Sequence, residues 1–229
     1  TMLLKNKTTA ARPRMLKIFL SRDATRTKQN PGLPGSTKYA QKKPAQPVPT
    51  GDELTWCIGP PLHASLKRLT GTEALADRAL LLYRERFSDV GLFENEAYGG
   101  IEETLSALAA TSPRMFVATS KPRVFAERII DHFGLRRYFV RVFGSELDGT
   151  RVDKGDLLRY ALDEEKVDPR SAVMIGDRSH DVVGARKNGM TAIGVLYGYG
   201  SEVELRDAGA HHICAAHPEL LARYAALAA

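Results

Sequence analysis

The stretch that most constrains this chain is residues 172–190, AVMIGDRSHDVVGARKNGM. It opens on four apolar residues, Ala172, Val173, Met174 and Ile175, closed by Gly176. A short apolar run without polar alternation predicts a strand buried on both faces, as in a parallel sheet. Two carboxylates follow, Asp177 where that strand ends and Asp181 four residues later. Val182, Ala185 and Arg186 predict a helix starting here. Both carboxylates are then expected over the carboxyl edge of the sheet, where open α/β sheets bind ligands. Two like charges at about 4 Å repel by about 1 kcal/mol in water and about 4 kcal/mol at an effective dielectric near 20. Such a pair asks for a cation, and an oxygen-only donor set suits Mg²⁺. A plainer reading also fits these residues taken alone: Asp177 caps the helix and Asp181 faces solvent.

From residue 98 onward the pattern alternates between helix and strand, which predicts βα units and a parallel sheet. Helices are expected over residues 101–110, 122–133 (Gly134 its stop and Pro122 in the first helical position), 154–164 and 218–225, with Ser201 and Glu204 capping another. Strands are expected over 115–118, 138–143, 172–175 and 192–196. Earlier, residues 54–58, 62–69 and 73–87 predict a small helical unit. In its third helix Thr70 and Glu73 form an expected capping box, with Leu75, Ala79, Leu82, Tyr83 and Arg86 on one face. Residues 21–50, rich in Pro, Gly, Lys and Gln, show neither period and read as loop or linker.

Charge is unevenly placed. Residues 1–50 hold 11 of the 33 Lys and Arg against one acid, Asp23, so that segment carries +10 and the remainder −4. A basic arm could meet nucleic acid or an anionic membrane, but it has no interleaved aromatics, so a solvated arm without a nucleic-acid partner is the expectation. The two cysteines, Cys57 and Cys214, stand far apart and outside any C-x-x-C, so neither a disulfide framework nor a zinc site is expected, and a reducing, cytoplasmic setting fits. No apolar run near the start is long enough for a signal segment or a membrane span.

Three further places could carry chemistry. The run MFVATSKP, residues 115–122, ends a strand in the hydroxyls of Thr119 and Ser120 at an expected helix start, where free N–H groups can hold an anion. Lys154 opens a helix, the wrong end of the dipole for a cation, which an anionic partner would explain; a solvated surface lysine is the plainer account. Residues 145–150, SELDGT, read as a loop at the mouth of the site, with Asp148 as a less favoured nucleophile. His211, Cys214 and His217 fit no common zinc spacing, and Gly198-Tyr199-Gly200 reads as a turn before the Ser201 helix.

The string hhhGDxxxDxxGAxxxG formed by Gly176, Asp177, Asp181, Gly184, Ala185 and Gly189 resembles the fourth motif of the haloacid dehalogenase superfamily. Thr119 and Lys154 match its second and third motifs, in the right order. The text around residues 59–62 and 145–150 is similar to the phosphoglycolate phosphatase and 5′-nucleotidase branch. The resemblance implies a doubly wound, Rossmann-like α/β core with a small helical cap inserted after the first strand. It divides the chain into residues 1–28 (first core strand and basic arm), 29–95 (helical cap and linkers) and 96–229 (α/β core). It implies Mg²⁺-dependent hydrolysis of a small phosphomonoester through an aspartyl-phosphate, by a monomer or homodimer. Asp177, Asp181 and Asp23 would serve the metal, Thr119, Ser120 and Lys154 the phosphate, and Asp23 the proton transfers.

The first motif departs from the pattern. After the expected strand at residues 16–20 the chain reads SRDATRT, so Asp23, Thr25 and Thr27 match while Ser21 stands at the nucleophile position. A lone serine lacks the charge and the base that attack on phosphorus needs. Two alternatives therefore stay open: a non-catalytic member that binds a phosphorylated ligand or protein partner, or an altered reading, such as a frameshift, of residues 1–50.

Overall fold

The computed structural model describes residues 17–20, 25–27, 57, 61–111 and 114–229. In chain order the described strands are β1 (Lys17–Leu20), β2 (Thr25–Thr27), β3 (Asn95–Ala97), β4 (Met115–Pro122), β5 (Arg141–Ser145), β6 (Ala172–Gly176), β7 (Thr191–Val195) and β8 (His212–Cys214). The described helices are α1 (Leu62–Thr70), α2 (Glu73–Asp89), α3 (Ile101–Ala110), α4 (Arg123–His132), α5 (Lys154–Glu165), α6 (Ser179–Lys187), α7 (Glu202–Asp207) and α8 (His217–Ala228).

The main sheet has the order β5-β4-β1-β6-β7-β8, and all its pairings are parallel. Helices cover both faces because every second residue of each inner strand feeds a different core. Met115, Val117, Val173, Ile175, Ile193 and Val195 pack with α3, α4 and α8 on one side. Phe116, Ala118, Ala172, Met174 and Ala192 pack with α5, α6 and α7 on the other. An apolar run without alternation is what two buried faces require. The fold is the doubly wound α/β sheet the sequence predicts.

Strand order fixes where the chemistry can sit. β1 comes first in the chain yet lies between β4 and β6, with Leu20 opposite both Val117 and Ile175. Strands step outward from it in both directions, so the crevice beside β1 is the topological switch point.

Outside the sheet, α1 and α2 enclose a small core of Cys57, Leu66, Ala76 and Ala79. Its approach to the main body is marked by the antiparallel ribbon of β2 and β3. Neither short polar strand is legible in the sequence. Phe87, at the end of α2, meets Phe125 of α4 edge to face at 5.5 Å, with Leu92 and Ile129 packed alongside. Among the described residues no helix is long and apolar enough to cross a membrane.

Several boundaries differ from expectation for physical reasons. β4 does not stop at Ala118: it runs on through Pro122, which is the N-cap of α4 and not its first residue. A register shift lets Pro122 pair with Ser145 after Thr119 has paired with Gly144. Gly144 permits this, since a Cβ there would lie 2.7 Å from the Arg123 nitrogen and the Lys121 oxygen. β5 starts at Arg141, later than expected, because Arg136–Tyr138 form a 3-10 turn. In α2 the cap is Thr72, which accepts the Leu75 N–H at 3.3 Å, while Thr70 donates back to Leu66 O of α1. Its buried face is Ala76, Ala79 and Phe87 with Leu80 and Tyr83 beside them, which leaves Leu75 exposed. Of the expected helix at 54–58 only Cys57 lies within the described residues.

Candidate active site at the carboxyl edge of the sheet

β4, β6 and the starts of α5 and α6 bring four sequence-predicted side chains to one end of the sheet. All four are buried: Thr119 is 5% exposed, Lys154 6%, Asp177 4% and Asp181 3%. Polar groups so far from water need partners. Lys154 Nζ donates to Ala118 O at the end of β4 at 2.7 Å and pairs with Asp181 Oδ1 of α6 at 3.1 Å. One lysine thus ties the second, third and fourth motifs together. Its place as first residue of α5 follows from Asp153, whose side chain caps that helix through the Asp156 N–H.

Gly184 makes this closeness possible. A Cβ there would press within 2.7 Å of Lys154 Cγ and 3.1 Å of Gly155 N, so α6 could not lie against the start of α5. Asn188 secures the same contact by donating to Gly155 O and Gly184 O at 2.8 and 2.9 Å. The plainer readings of two residues fail here. Lys154 is not a solvated lysine, and Asp181 does not face solvent.

Asp177, directly after β6, accepts the Tyr199 N–H on Oδ2 at 2.8 Å. The loop of Gly198, Tyr199 and Gly200 is therefore more than a turn before a helix. It lies so close that a Cβ on Gly198 would fall 2.2 Å from the Asp177 Cβ, and one on Gly200 2.0 Å from the Asp177 carbonyl oxygen. Two glycines within the three residues before Ser201, the expected cap, are the signal the sequence offers, but the contact spans more than 20 residues of chain. Asp181 Oδ2 accepts the Arg178 N–H at 3.2 Å. Glu204, expected to cap its own helix, instead takes the Ser179 N–H at 2.8 Å. Burial pushes the Glu204 carboxyl up, but its bonds from Ser179 and Arg178 outweigh this and hold it below the ordinary value.

On the β4 side, Thr119 Oγ1 accepts the Lys121 N–H at 3.2 Å, and the Ser120 carbonyl accepts the buried Ser145 hydroxyl at 3.0 Å. The loop after β5 lies at the same end of the sheet. Asp148 in it is exposed, and its carboxylate caps its own turn through the Thr150 N–H at 2.8 Å; the Thr150 hydroxyl first, and then this N–H, hold its pKa low. Ser21 and Asp23 lie outside the described residues.

The other sequence candidates disperse. His211 Nδ1 accepts the Ala192 N–H at 3.0 Å, Cys214 is in the core, and His217 packs its ring on Tyr197 at 4.2 Å. Among the described residues no group of three or more His, Cys, Asp and Glu is placed to hold a metal. Asp177 and Asp181 nonetheless fit Mg²⁺ chemically. They are buried, oxygen-only donors at a strand end, and this ion commonly takes one or two carboxylates and fills its remaining positions with water and substrate phosphate.

An open parallel sheet with buried carboxylates, a hydroxyl and a lysine at its switch point defines a class of α/β enzymes that handle anionic substrates. The chain matches the model of the haloacid dehalogenase-like hydrolases over residues 23–195. It belongs to that family and is an enzyme of its phosphatase group. A 5′-nucleotidase from Pseudomonas aeruginosa is 44% identical over 86% of this chain and 90% of that protein. The tyrosine-protein kinase PtkA of Mycobacterium tuberculosis is 37% identical over 80% of this chain but only 62% of its own length. A solved structure described as a predicted phosphatase from Clostridium acetobutylicum superposes with a TM-score of 0.85, at 38% identity over 93% of this chain and 99% of that one.

Proposed function

We propose that the protein is a Mg²⁺-dependent phosphomonoester hydrolase acting on a small phosphorylated metabolite, a nucleoside 5′-monophosphate before a phosphoglycolate-like acid. The observation that carries this reading is Lys154, which ties Ala118 beside Thr119 to Asp181 beneath the end of β6. Phosphoryl transfer depends on positioning and charge neutralisation, and this cluster supplies both. The preference for a nucleotide rests on the 5′-nucleotidase relative, since the matching phosphoglycolate phosphatases, such as that of Vibrio vulnificus, are 27% identical over 60% of this chain.

In this reading Asp177 and Asp181 hold the metal with Asp23, which also gives a proton to the leaving oxygen and takes one from water. Bound Mg²⁺ supplies charge neutralisation on the phosphate oxygens. Thr119 and Ser120 hold the phosphate by hydroxyl and backbone N–H, and Lys154 faces it with a buried cation already oriented by Asp181. Ser21, next in the chain after β1, stands at the attacking position. The pair α1 and α2, tethered through β2 and β3, is a cap that selects the leaving group. The protein works in the cytoplasm as a monomer or homodimer without nucleic-acid or membrane partners.

Release of inorganic phosphate from a panel of nucleoside 5′-monophosphates, phosphoglycolate and p-nitrophenyl phosphate tests the reading. In the Ser21→Asp variant turnover is expected with Mg²⁺ and absent with EDTA, fastest on a nucleotide, while the chain with Ser21 is expected to be nearly silent. Equal rates with and without EDTA would remove the metal, and a preference for phosphoglycolate would reverse the substrate order.

A further inference from the structure

The turn that carries the proposed metal carboxylates also carries a cation, Arg178, between Asp177 and Asp181 in the chain. Arg178 is the N-cap of α6, yet arginine has no acceptor with which to cap a helix. Glu204 of α7 does that work from outside. Its Oε1 accepts the Ser179 N–H at 2.8 Å, the Ser179 hydroxyl at 2.9 Å and Arg178 Nε at 2.9 Å. Bonds to a charged acceptor are the stronger kind.

Glu204 is itself firmly placed. Ser201 caps α7 by accepting the Glu204 N–H at 3.1 Å. The next residue, Leu205, is fully buried against Gly194, where a Cβ would come within 2.9 Å of Leu205 Cδ1. The same segment reaches Asp177 through the Tyr199 N–H. Residues 198–204 therefore grip the turn twice, at Asp177 by backbone and at Arg178 and Ser179 by a carboxylate.

We propose that Glu204 is a positioning residue that holds the Arg178 guanidinium away from Asp177 and Asp181, so that those carboxylates stay available to a divalent cation. The inference rests on the metal reading above. A guanidinium is a permanent cation whose planar fork matches a carboxylate, so a released Arg178 competes for the same negative charge. Groups that orient metal ligands from behind commonly contribute about 10- to 100-fold in metal affinity.

The test is Mg²⁺ titration followed by thermal shift in the full chain. The proteins are the wild type, Asp177→Ala, Glu204→Gln, Glu204→Ala, and Glu204→Ala combined with Arg178→Ala. Glu204→Ala is expected to raise the Mg²⁺ midpoint about 10-fold or more. Glu204→Gln should raise it less, because an amide oxygen still accepts from Ser179, and it carries the test if the alanine variant does not fold. The double variant is expected to bind Mg²⁺ more tightly than Glu204→Ala alone, since the competing cation is gone. A purely structural role would lower the melting temperature without moving the midpoint and would gain nothing from removal of Arg178. An unmoved midpoint in both single Glu204 variants, beside a responsive wild type, overturns the proposal and leaves the metal site standing. A wild type that responds to Mg²⁺ no more than Asp177→Ala overturns both.

Discussion

At the carboxyl edge of the sheet the candidate side chains are held by groups from distant elements: Lys154 by β4 and α6, Asp177 by the loop after β7, the Asp181 turn by α7. The helical pair α1 and α2 is held differently. Among the described residues its buried core is one leucine, two alanines and a cysteine, and it leans on the main body through Phe87 and Leu92. Charge neutralisation at a reacting phosphate needs groups fixed before the substrate arrives, and a site on strand ends provides that. Leaving-group selection tolerates, and in a closing cap requires, a thinner attachment. Under the proposed function labour is divided: changes at the edge should damage turnover of every phosphate ester, and changes at the helical pair should separate one ester from another.

The largest expected effect is at the edge. Loss of a nucleophile costs enzymes on the order of 10⁴ to 10⁶ in rate, so Ser21→Asp is expected to raise Mg²⁺-dependent turnover of p-nitrophenyl phosphate by about 10⁴. The rise should be similar for a nucleotide, because the attacking oxygen does not meet the leaving group. Robust turnover already with Ser21, and no further rise, would mean that attack comes from another residue, with Asp148→Asn the variant to examine next; silence in both forms would favour a non-catalytic binder.

Lys154 comes second. Lys154→Met keeps most of the apolar stem but leaves Asp181 buried without its cation, and breaking a buried pair from one side costs about 3–5 kcal/mol of stability. The phosphate loses a charge-assisted contact of about 1.5–3 kcal/mol, roughly 10- to 150-fold in kcat/KM for all substrates alike. Vanadate affinity measured on the folded variant isolates this second effect. Unchanged affinity would reduce Lys154 to a brace between α5 and α6.

Much of the edge is legible because its residues are local to strand ends. Ala172 to Ile175 carries no polar alternation, so two buried faces follow, and Asp177 and Asp181 must then stand at a strand end and a helix start. Gly184 could be read as part of a motif, but its reason, room for Lys154, is a contact across 30 residues. The same holds for Glu204. Ser201 and Glu204 have the spacing of a capping box, yet only the Ser201 half forms, because α6 offers Glu204 stronger donors in Arg178 and Ser179. The extension of β4 to Pro122 depends on a missing Cβ in the neighbouring strand, at Gly144. On α2 the period is right but the face is turned by one residue, since Ala76 and Ala79 pack closer to α1 than Leu75 could. Each miss comes from a partner distant in sequence, where propensity and period carry no information.

The smallest expected effect tests the other half of the comparison. Phe87 stacks on Tyr83 within α2 at 5.2 Å, meets Phe125 of α4 edge to face, and lies 5.5 Å beneath Lys121 Nζ, two residues past Thr119. It joins the cap to the strand end where the phosphate would sit. Phe87→Leu keeps the burial but removes the aromatic pair, about 0.5–1.5 kcal/mol, and the cation contact, about 0.5–1 kcal/mol. If the cap must dock to enclose a leaving group, KM for a nucleoside 5′-monophosphate should rise about 5- to 70-fold, the two losses together. p-Nitrophenyl phosphate offers the cap less to hold, so its KM should rise no more than about 3-fold, with kcat for both nearly unchanged. Equal rises for the two substrates would show that Phe87 acts through the fold of the whole edge, and the division of labour would fail at the residue where cap and sheet meet.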